Sequence, residues 1–195
     1  IGSKQDGAFA EYICVPAKNL FHVPPGVSFY EAAMIEPLAC CIDAVFNNAR
    51  IRPGDTVLVS GPGSMGLMVM QLAKLFHAQT AIMGVEKDRK RLDLAEALGA
   101  DLVVYSDQED VRAQIKNFAG ENGVDIVFEC SGAEAAFRMD LEVIRKGGQL
   151  IQVGLFAKEF AINFNVLSQK ALEYHGIYAH EWYDWDRALT LLKLG

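Results

Sequence analysis

The chain has little of what marks the more specialised protein classes. Its 195 residues include only four cysteines, six prolines and two tryptophans. Cys14, Cys40, Cys41 and Cys130 form no C-x-x-C pair and show no disulfide-like spacing. That excludes a disulfide scaffold and predicts buried thiols in a reducing compartment. No apolar run reaches the roughly 20 residues of a membrane span, and no signal peptide is visible. Together these absences predict a soluble, cytoplasmic protein with no membrane partner. Positive charge is also scarce: 18 Lys and Arg face 25 Asp and Glu, for a net charge of −7. The basic residues are scattered, which argues against nucleic acid as a partner. The four histidines, His22, His77, His175 and His180, lack metal-ligand spacing, so each reads as structural or exposed. There is no internal repeat and no low-complexity tract.

What is present fits an ordinary α/β protein, 51% hydrophobic and 22% charged, long enough for one domain or one with a partial second. From residue 56 onward, strand-like and helix-like segments alternate. "TVLVS" (56–60), "TAIMGVE" (80–86), "DLVVY", "VDIVFECSG", "GGQLIQVGLF" and "LEYHGIYA" read as strands. Helical spacing fills the gaps, including "DRKRLDLAEALGA", where Leu92, Leu94, Ala95 and Leu98 form an apolar stripe and Gly99 stands at the helix stop. Continuous apolar strands separated by single helices predict a parallel sheet covered on both faces, a doubly wound fold. Residues 1–50 read differently. "GAFAEYICVP" alternates like a strand near a sheet edge, and "VSFYEAAMIEPLACCIDAVFNNA" is helical with an interruption at Pro37. The expected division is therefore 1–50 as the tail of another domain with connecting helices, and 51–195 as the sheet domain.

Two stretches carry chemistry. "SGPGSMG" matches G-x-G-x-x-G at Gly61, Gly63 and Gly66. A strand precedes it, a helix follows, and Glu86 ends the next strand twenty residues after Gly66. Gly61 permits the tight turn, Gly63 lets backbone approach a pyrophosphate, and Gly66 allows close helix–strand packing. The helix N-terminus offers free N–H groups to the phosphates. Glu86 would accept hydrogen bonds from the adenosine ribose and repel a 2′-phosphate, which favours NAD over NADP, although Lys87, Arg89, Lys90 and Arg91 stand nearby. A methyltransferase also places an acidic residue after its second strand, but its glycine loop differs. The second stretch, "AAMIEPLACCIDAV" (32–45), holds one carboxylate, Glu36, among small apolar residues. Burying a lone carboxylate costs several kcal/mol unless a partner compensates. The ordinary readings of Glu36 are a helix end, a surface position or a salt bridge.

With "DGAFAEYICVP", "IEPLACCIDAV", "RPGDTVLVSGPGSMGLMVMQLAK", "LDLAEALGAD", "VDIVFECSGAEAA" and "KGGQLIQVGL", the sequence resembles the medium-chain, zinc-dependent alcohol dehydrogenase family in its sorbitol/polyol and threonine dehydrogenase branch. The resemblance covers essentially the whole chain. It implies a Rossmann domain joined to a GroES-like catalytic domain, with NAD and a catalytic zinc in the cleft between them. It implies that Gly61, Pro62, Gly63, Ser64, Met65 and Gly66 cradle the pyrophosphate, Met65 bordering the cofactor, and that Glu86 and Arg91 flank the adenosine. Val153, Gly154 and Leu155 would pass beside the nicotinamide, Ser131 and Gly132 would line the cleft, and Tyr178, Ala179 and His180 would lie near the nicotinamide ribose. Glu36 would face the zinc directly or through water, making it both a catalytic and a metal residue. The family's first ligands, a cysteine and a His-Glu pair, have no counterpart here, nor does its four-cysteine structural zinc lobe. The expected activity is hydride transfer from a polyol or secondary alcohol to NAD in the intact enzyme, with this chain inactive and without stoichiometric zinc by itself. A homo-dimer or homo-tetramer is expected, because "LEYHGIYA" would otherwise be an open sheet edge. The alternatives are a non-catalytic NAD(H)-binding module and a zinc-free quinone-reductase relative, the latter having no use for Glu36.

Overall fold

The computed structural model of the chain describes residues 4–108 and 110–194. Two helices, α1 (Phe29–Ala32) and α2 (Ile35–Ile42), precede the sheet. Thereafter β1 (Thr56–Ser60), α3 (Ser64–Lys74), β2 (Gln79–Gly84), α4 (Arg89–Ala97), β3 (Leu102–Tyr105), α5 (Val111–Ala119), β4 (Val124–Glu129), α6 (Glu134–Val143), β5 (Ile144–Gln152), α7 (Asn165–Gln169), β6 (Glu173–Gly176) and α8 (Asp184–Leu194) follow in turn. The six strands form one sheet in the order β3-β2-β1-β4-β5-β6, and every pairing is parallel. The doubly wound α/β sheet expected from the alternation is present.

Side chains of successive strand residues point to opposite faces, so an all-apolar strand feeds two cores at once. In β1, Val57 and Val59 join Ile82, Ile126, Phe128 and Ile151 on one face, where α2, α3 and α8 pack. Leu58 faces the other way, with Met83, Val104, Val127 and Leu150, against Val111 and Ile115 of α5 and Phe137 and Leu141 of α6. The stripe on α4 is narrower than its spacing predicts. Leu92 and Ala95 are fully buried, whereas Leu94 and Leu98 are substantially exposed, because the helix shows the sheet only one row. Gly99 ends that segment with φ 92° and donates its N–H to Glu96 O at 2.9 Å, a left-handed stop of the kind glycine favours.

The N-terminal segment departs from the sequence reading in three ways. "GAFAEYICVP" forms no strand. Phe9 and Tyr12 stand in solvent, since a strand is stable only with a hydrogen-bonded neighbour and none pairs with it among the described residues. Pro37 does not interrupt a helix. It lies in the first turn of α2, where its missing N–H has no intrahelical partner to lose, and the break falls earlier, at Ala33 and Met34. The thiols are also not uniformly buried: Cys41 is, Cys40 and Cys130 are partly covered, and Cys14 is exposed. The helix α2 packs against α3 and α8 and shares the core of β1. Residue 21 is tied down as well, its ring 5.1 Å from Trp182 and stacked 5.0 Å from Trp185.

Candidate functional site

Strand order reverses between β1 and β4, where consecutive crossovers leave in opposite directions. A crevice must open there beyond the carboxyl ends of the strands, and it is the usual ligand position in such sheets. A cavity of about 370 Å³ occupies it, lined by Gly61, Pro62 and Gly63 after β1, by Gly84, Lys87, Asp88 and Arg91 after β2, and by Cys130 and Ser131 after β4, among others.

Its floor is made of backbone brought unusually close together. Gly61 has φ 104° and donates its N–H to Met83 O at 2.8 Å. A Cβ on Gly66 would lie 1.9 Å from Gly61 O, so α3 can leave the strand at this angle only with glycine there. Gly63 is the N-cap of α3 with no side-chain cap on the first turn, and a Cβ on it would meet nothing within 4 Å. The free N–H groups of this turn, the positive helix end and the open space above Gly63 together form a receptor for an anionic group. Ser64 and Met65 begin the helix, with Met65 turned to the core cluster and its carbonyl 3.5 Å from Cys41 Sγ.

Opposite the loop, Glu129 holds the other wall. Its Oε1 accepts from Ser131 N–H at 2.8 Å, Ser131 Oγ–H at 2.5 Å and Gly132 N–H at 2.8 Å. Its backbone carbonyl accepts from the N–H groups of Val153 and Gly154, each at 2.8 Å. A Cβ on Gly154 would lie 2.5 Å from Gly132 N, so the ends of β4 and β5 touch through glycine, and Leu155 is left exposed beside them. Beneath lies a buried carboxylate pair that sequence reasoning missed. Ser60 Oγ–H donates to Asp140 Oδ1 at 2.5 Å, while Asp140 Oδ2 and Glu129 Oε2 are buried without partners. Burial and the Glu129 charge push the Asp140 carboxyl well above the carboxylate range, which favours its neutral form.

The adenosine side differs from expectation in detail. Arg91 lines the cavity, but Glu86 does not. The Glu86 carboxylate accepts from Arg89 at 2.8 and 2.5 Å, and its N–H donates to the Asp107 carboxylate. Asp88, two residues on, lines the wall beside Lys87 and pairs with Arg91 at 3.2 Å. A short helical turn over Glu86–Asp88 swings the carboxylates apart, and no periodicity in the sequence signals it.

Glu36 is not buried. Its side chain is 60% exposed in the first turn of α2, where the helix dipole favours a carboxylate, so no burial penalty needs offsetting. Its surroundings are still specific. Cys40, one turn along the same face, has Sγ 3.8 Å from Glu36 Oε1, and His180 Nε2 is 4.0 Å from the same oxygen. The three ligand atoms lie within 4.8 Å of one another. Burial and the Glu36 carboxylate push the Cys40 thiol up to about 11. The spacing of Glu36 and Cys40 is visible in the sequence, whereas His180 arrives by folding from 144 positions away. Of its neighbours, Tyr178 is largely exposed and Ala179 adopts φ 70°. The sequence-predicted residues thus fall into two groups, one around the glycine loop and one at Glu36.

Residues 64–193 match the zinc-binding dehydrogenase family. The chain is 38% identical to the D-arabitol-phosphate dehydrogenase of Enterococcus avium over 100% of its own length and 56% of that protein. It is 38% identical to the sorbitol dehydrogenase of Halalkalibacterium halodurans over 99% and 56%. Among solved structures it overlays with TM-score 0.88 and 30% identity on a Sinorhizobium meliloti protein described as a zinc-binding dehydrogenase and bound to NADP, covering 100% of this chain and 57% of that one. The chain spans about half the length of the curated relatives it matches.

Proposed function

This chain belongs to the zinc-binding dehydrogenase family, and from that premise we propose that it is the NAD-binding portion of a zinc-dependent polyol or secondary-alcohol dehydrogenase, whose reaction moves a hydride from a CH–OH carbon to NAD. The observation that carries the reading is the anion receptor at the strand-order reversal: Gly61 and Gly66 forced by contact, Gly63 open above an uncapped helix end. In this reading residues 51–195 are the nucleotide-binding domain, and residues 1–50 are connecting helices with part of a catalytic domain.

The pyrophosphate would lie over Gly61, Pro62, Gly63 and the first turn of α3. Arg91 and Asp88 would border the adenosine, with Glu86 at the rim. The nicotinamide would extend past Ser131 and Gly132 toward Val153, Gly154 and Leu155, a wall that Glu129 keeps rigid. Glu36 would face the metal, and the convergence of Cys40 and His180 on its carboxylate makes this corner chemically fit for zinc. When bound, zinc would supply a Lewis acid that lowers the pKa of the substrate alcohol. The exposed edge strand β6, with Tyr174 at its surface, would pair with a second copy. Light scattering should give at least a dimer, and a strictly monomeric mass across a wide concentration range would refute that pairing.

Cofactor choice tests the central assignment. Glu86 opposes a 2′-phosphate, while Lys87 and Arg91 favour one. With the carboxylate deciding, NAD(H) should bind roughly tenfold more tightly than NADP(H), about 1.4 kcal/mol, and Glu86→Ser should shrink the gap. Equal affinities in the unmodified chain, by calorimetry or NADH fluorescence, would overturn the preference, and absence of binding to either would overturn the function.

A further inference from the structure

The carboxylate expected to read the adenosine ribose does not face the cavity. Lys87, Asp88 and Arg91 line the wall after β2, and Glu86 stands outside that lining. What turns it away is Arg89, three residues along the chain. One oxygen of Glu86, Oε1, accepts from Arg89 Nε–H at 2.8 Å and from an Nη2–H at 2.5 Å. Two donors of a rigid guanidinium on one oxygen fix the direction in which the carboxyl group points.

Both partners nevertheless have a second place to go. The Glu86 backbone is held independently, because its N–H donates to the two Asp107 carboxylate oxygens at 3.1 and 3.0 Å. The side chain can therefore turn without moving the loop. The Arg89 guanidinium stands 5.6 Å from the centre of the Tyr105 ring, a cation–π contact that remains when Glu86 leaves. Arg89 and Glu86 are 60% and 49% exposed. Ion pairs at such exposure are weak, so a cofactor hydroxyl can displace the arginine. Asp88 and Arg91, by contrast, answer each other within the wall at 3.2 Å.

We propose that Arg89 sets cofactor discrimination through Glu86, as a latch that holds the carboxylate off the adenosine ribose in the free protein. The proposal rests on the reading that the cavity takes a dinucleotide whose ribose meets Glu86. A ligand that needs the open form binds more weakly in proportion to the fraction of molecules that are latched. For NAD(H), whose ribose hydroxyls donate to Glu86, the latch lowers affinity. For NADP(H) it does the reverse, because a 2′-phosphate gains when the carboxylate is turned away and its charge is compensated. A residue outside the cavity lining thereby narrows the gap between two cofactors that differ by one phosphate.

Titrations with NADH and NADPH, followed by fluorescence, test the latch on the unmodified chain and on Arg89→Met. A latch closed in roughly two molecules of three lowers affinity about threefold. NADH should therefore bind about threefold more tightly to Arg89→Met, and NADPH at least threefold more weakly. Loss of a cation near an anionic ligand would by itself weaken both, so tighter NADH binding is the signature. Arg89→Lys, which keeps the charge but not the paired donors, should give an intermediate NADH affinity. In a Glu86→Ser background, Arg89→Met should no longer tighten NADH. Both side chains are exposed, so thermal melts of all variants should coincide with that of the unmodified chain. NADH weakened along with NADPH would make Arg89 a direct phosphate contact and overturn the proposal. Unchanged affinities, or a tightening that survives Glu86→Ser, would overturn it as well. If neither cofactor binds the unmodified chain, the dinucleotide reading fails and the latch with it, an outcome distinct from binding with an unmoved ratio.

Discussion

The two halves of the candidate site are built on opposite principles. Around the glycine loop the proposed recognising surface is backbone: Gly61, Gly66 and Gly154 bring main chain where side chains would collide, Gly63 leaves open space, and the N–H groups of α3 would do the binding. At Glu36 the surface is made of side chains from α2 and a distant loop, and the backbone only aims them. The first kind of site is intolerant of added atoms and indifferent to most neighbouring side chains. The second tolerates changes around it and fails when one functional group is removed.

The largest effect should come from adding a methyl group where backbone already touches. In Gly66→Ala the new Cβ would overlap Gly61 O at 1.9 Å, so either α3 or the loop must move. Overpacking of this kind costs about 3 kcal/mol, or about 10 °C in Tm for a chain of this size, and NADH binding should vanish with it. The sharper comparison is Gly63→Ala. That position has φ −72° and ψ −179° and free space around it, so the fold should lose no more than about 1 kcal/mol, the usual scale of an altered N-cap. Affinity for NADH should nonetheless fall at least tenfold, because the methyl group would occupy the place proposed for the phosphate. Thermal melts and NADH titrations on both variants check this. If Gly63→Ala binds NADH normally, the phosphate does not lie over that residue.

The same contrast explains what was legible in the sequence. The glycine loop is seven contiguous residues between a strand and a helix, so its order in the chain nearly determines its geometry, and Gly61 and Gly66 do the work expected of them. Alternating apolar segments announced the parallel sheet for the same reason. Where geometry depended on tertiary partners, the reading failed. "GAFAEYICVP" has a strand's pattern but no strand beside it among the described residues, and Pro37 has a helix breaker's identity but a position in the first turn that tolerates it. Glu86 keeps the expected spacing, and what the sequence left out is the helical turn and Arg89 that set its carboxylate at the rim while Asp88 lines the wall. His180 has no motif at all. Its place beside Glu36 comes from the packing of α2 on α8 and the buried Asp184, neither of which leaves a local periodic trace.

The smallest effect, and the one that probes the glycine wall from below, concerns Asp140. The wall is held by Glu129, whose second oxygen is buried and unpartnered, as is the second oxygen of Asp140. Burial and the Glu129 charge raise the Asp140 pKa, so the folded protein retains a proton that the unfolded chain releases near pH 4. The folded state then binds more protons than the unfolded one, and stability falls as pH rises from about 4 towards the raised folded pKa. Asparagine is a neutral mimic of the protonated form. It keeps an oxygen to accept from Ser60 and places N–H groups where the acid carries its proton, so near pH 4, where the unfolded chain also holds the proton, Asp140→Asn should change stability by no more than about 1 kcal/mol. Its advantage over the unmodified chain should grow as pH rises above about 4, which urea titrations at each pH would read directly. Asp140→Ala, which strands the Ser60 hydroxyl, should instead lie about 1–3 kcal/mol below Asp140→Asn at every pH. A loss in Asp140→Asn as large as in Asp140→Ala, with no change across pH, would mean that the pKa of the Asp140 carboxyl is not raised in the folded protein.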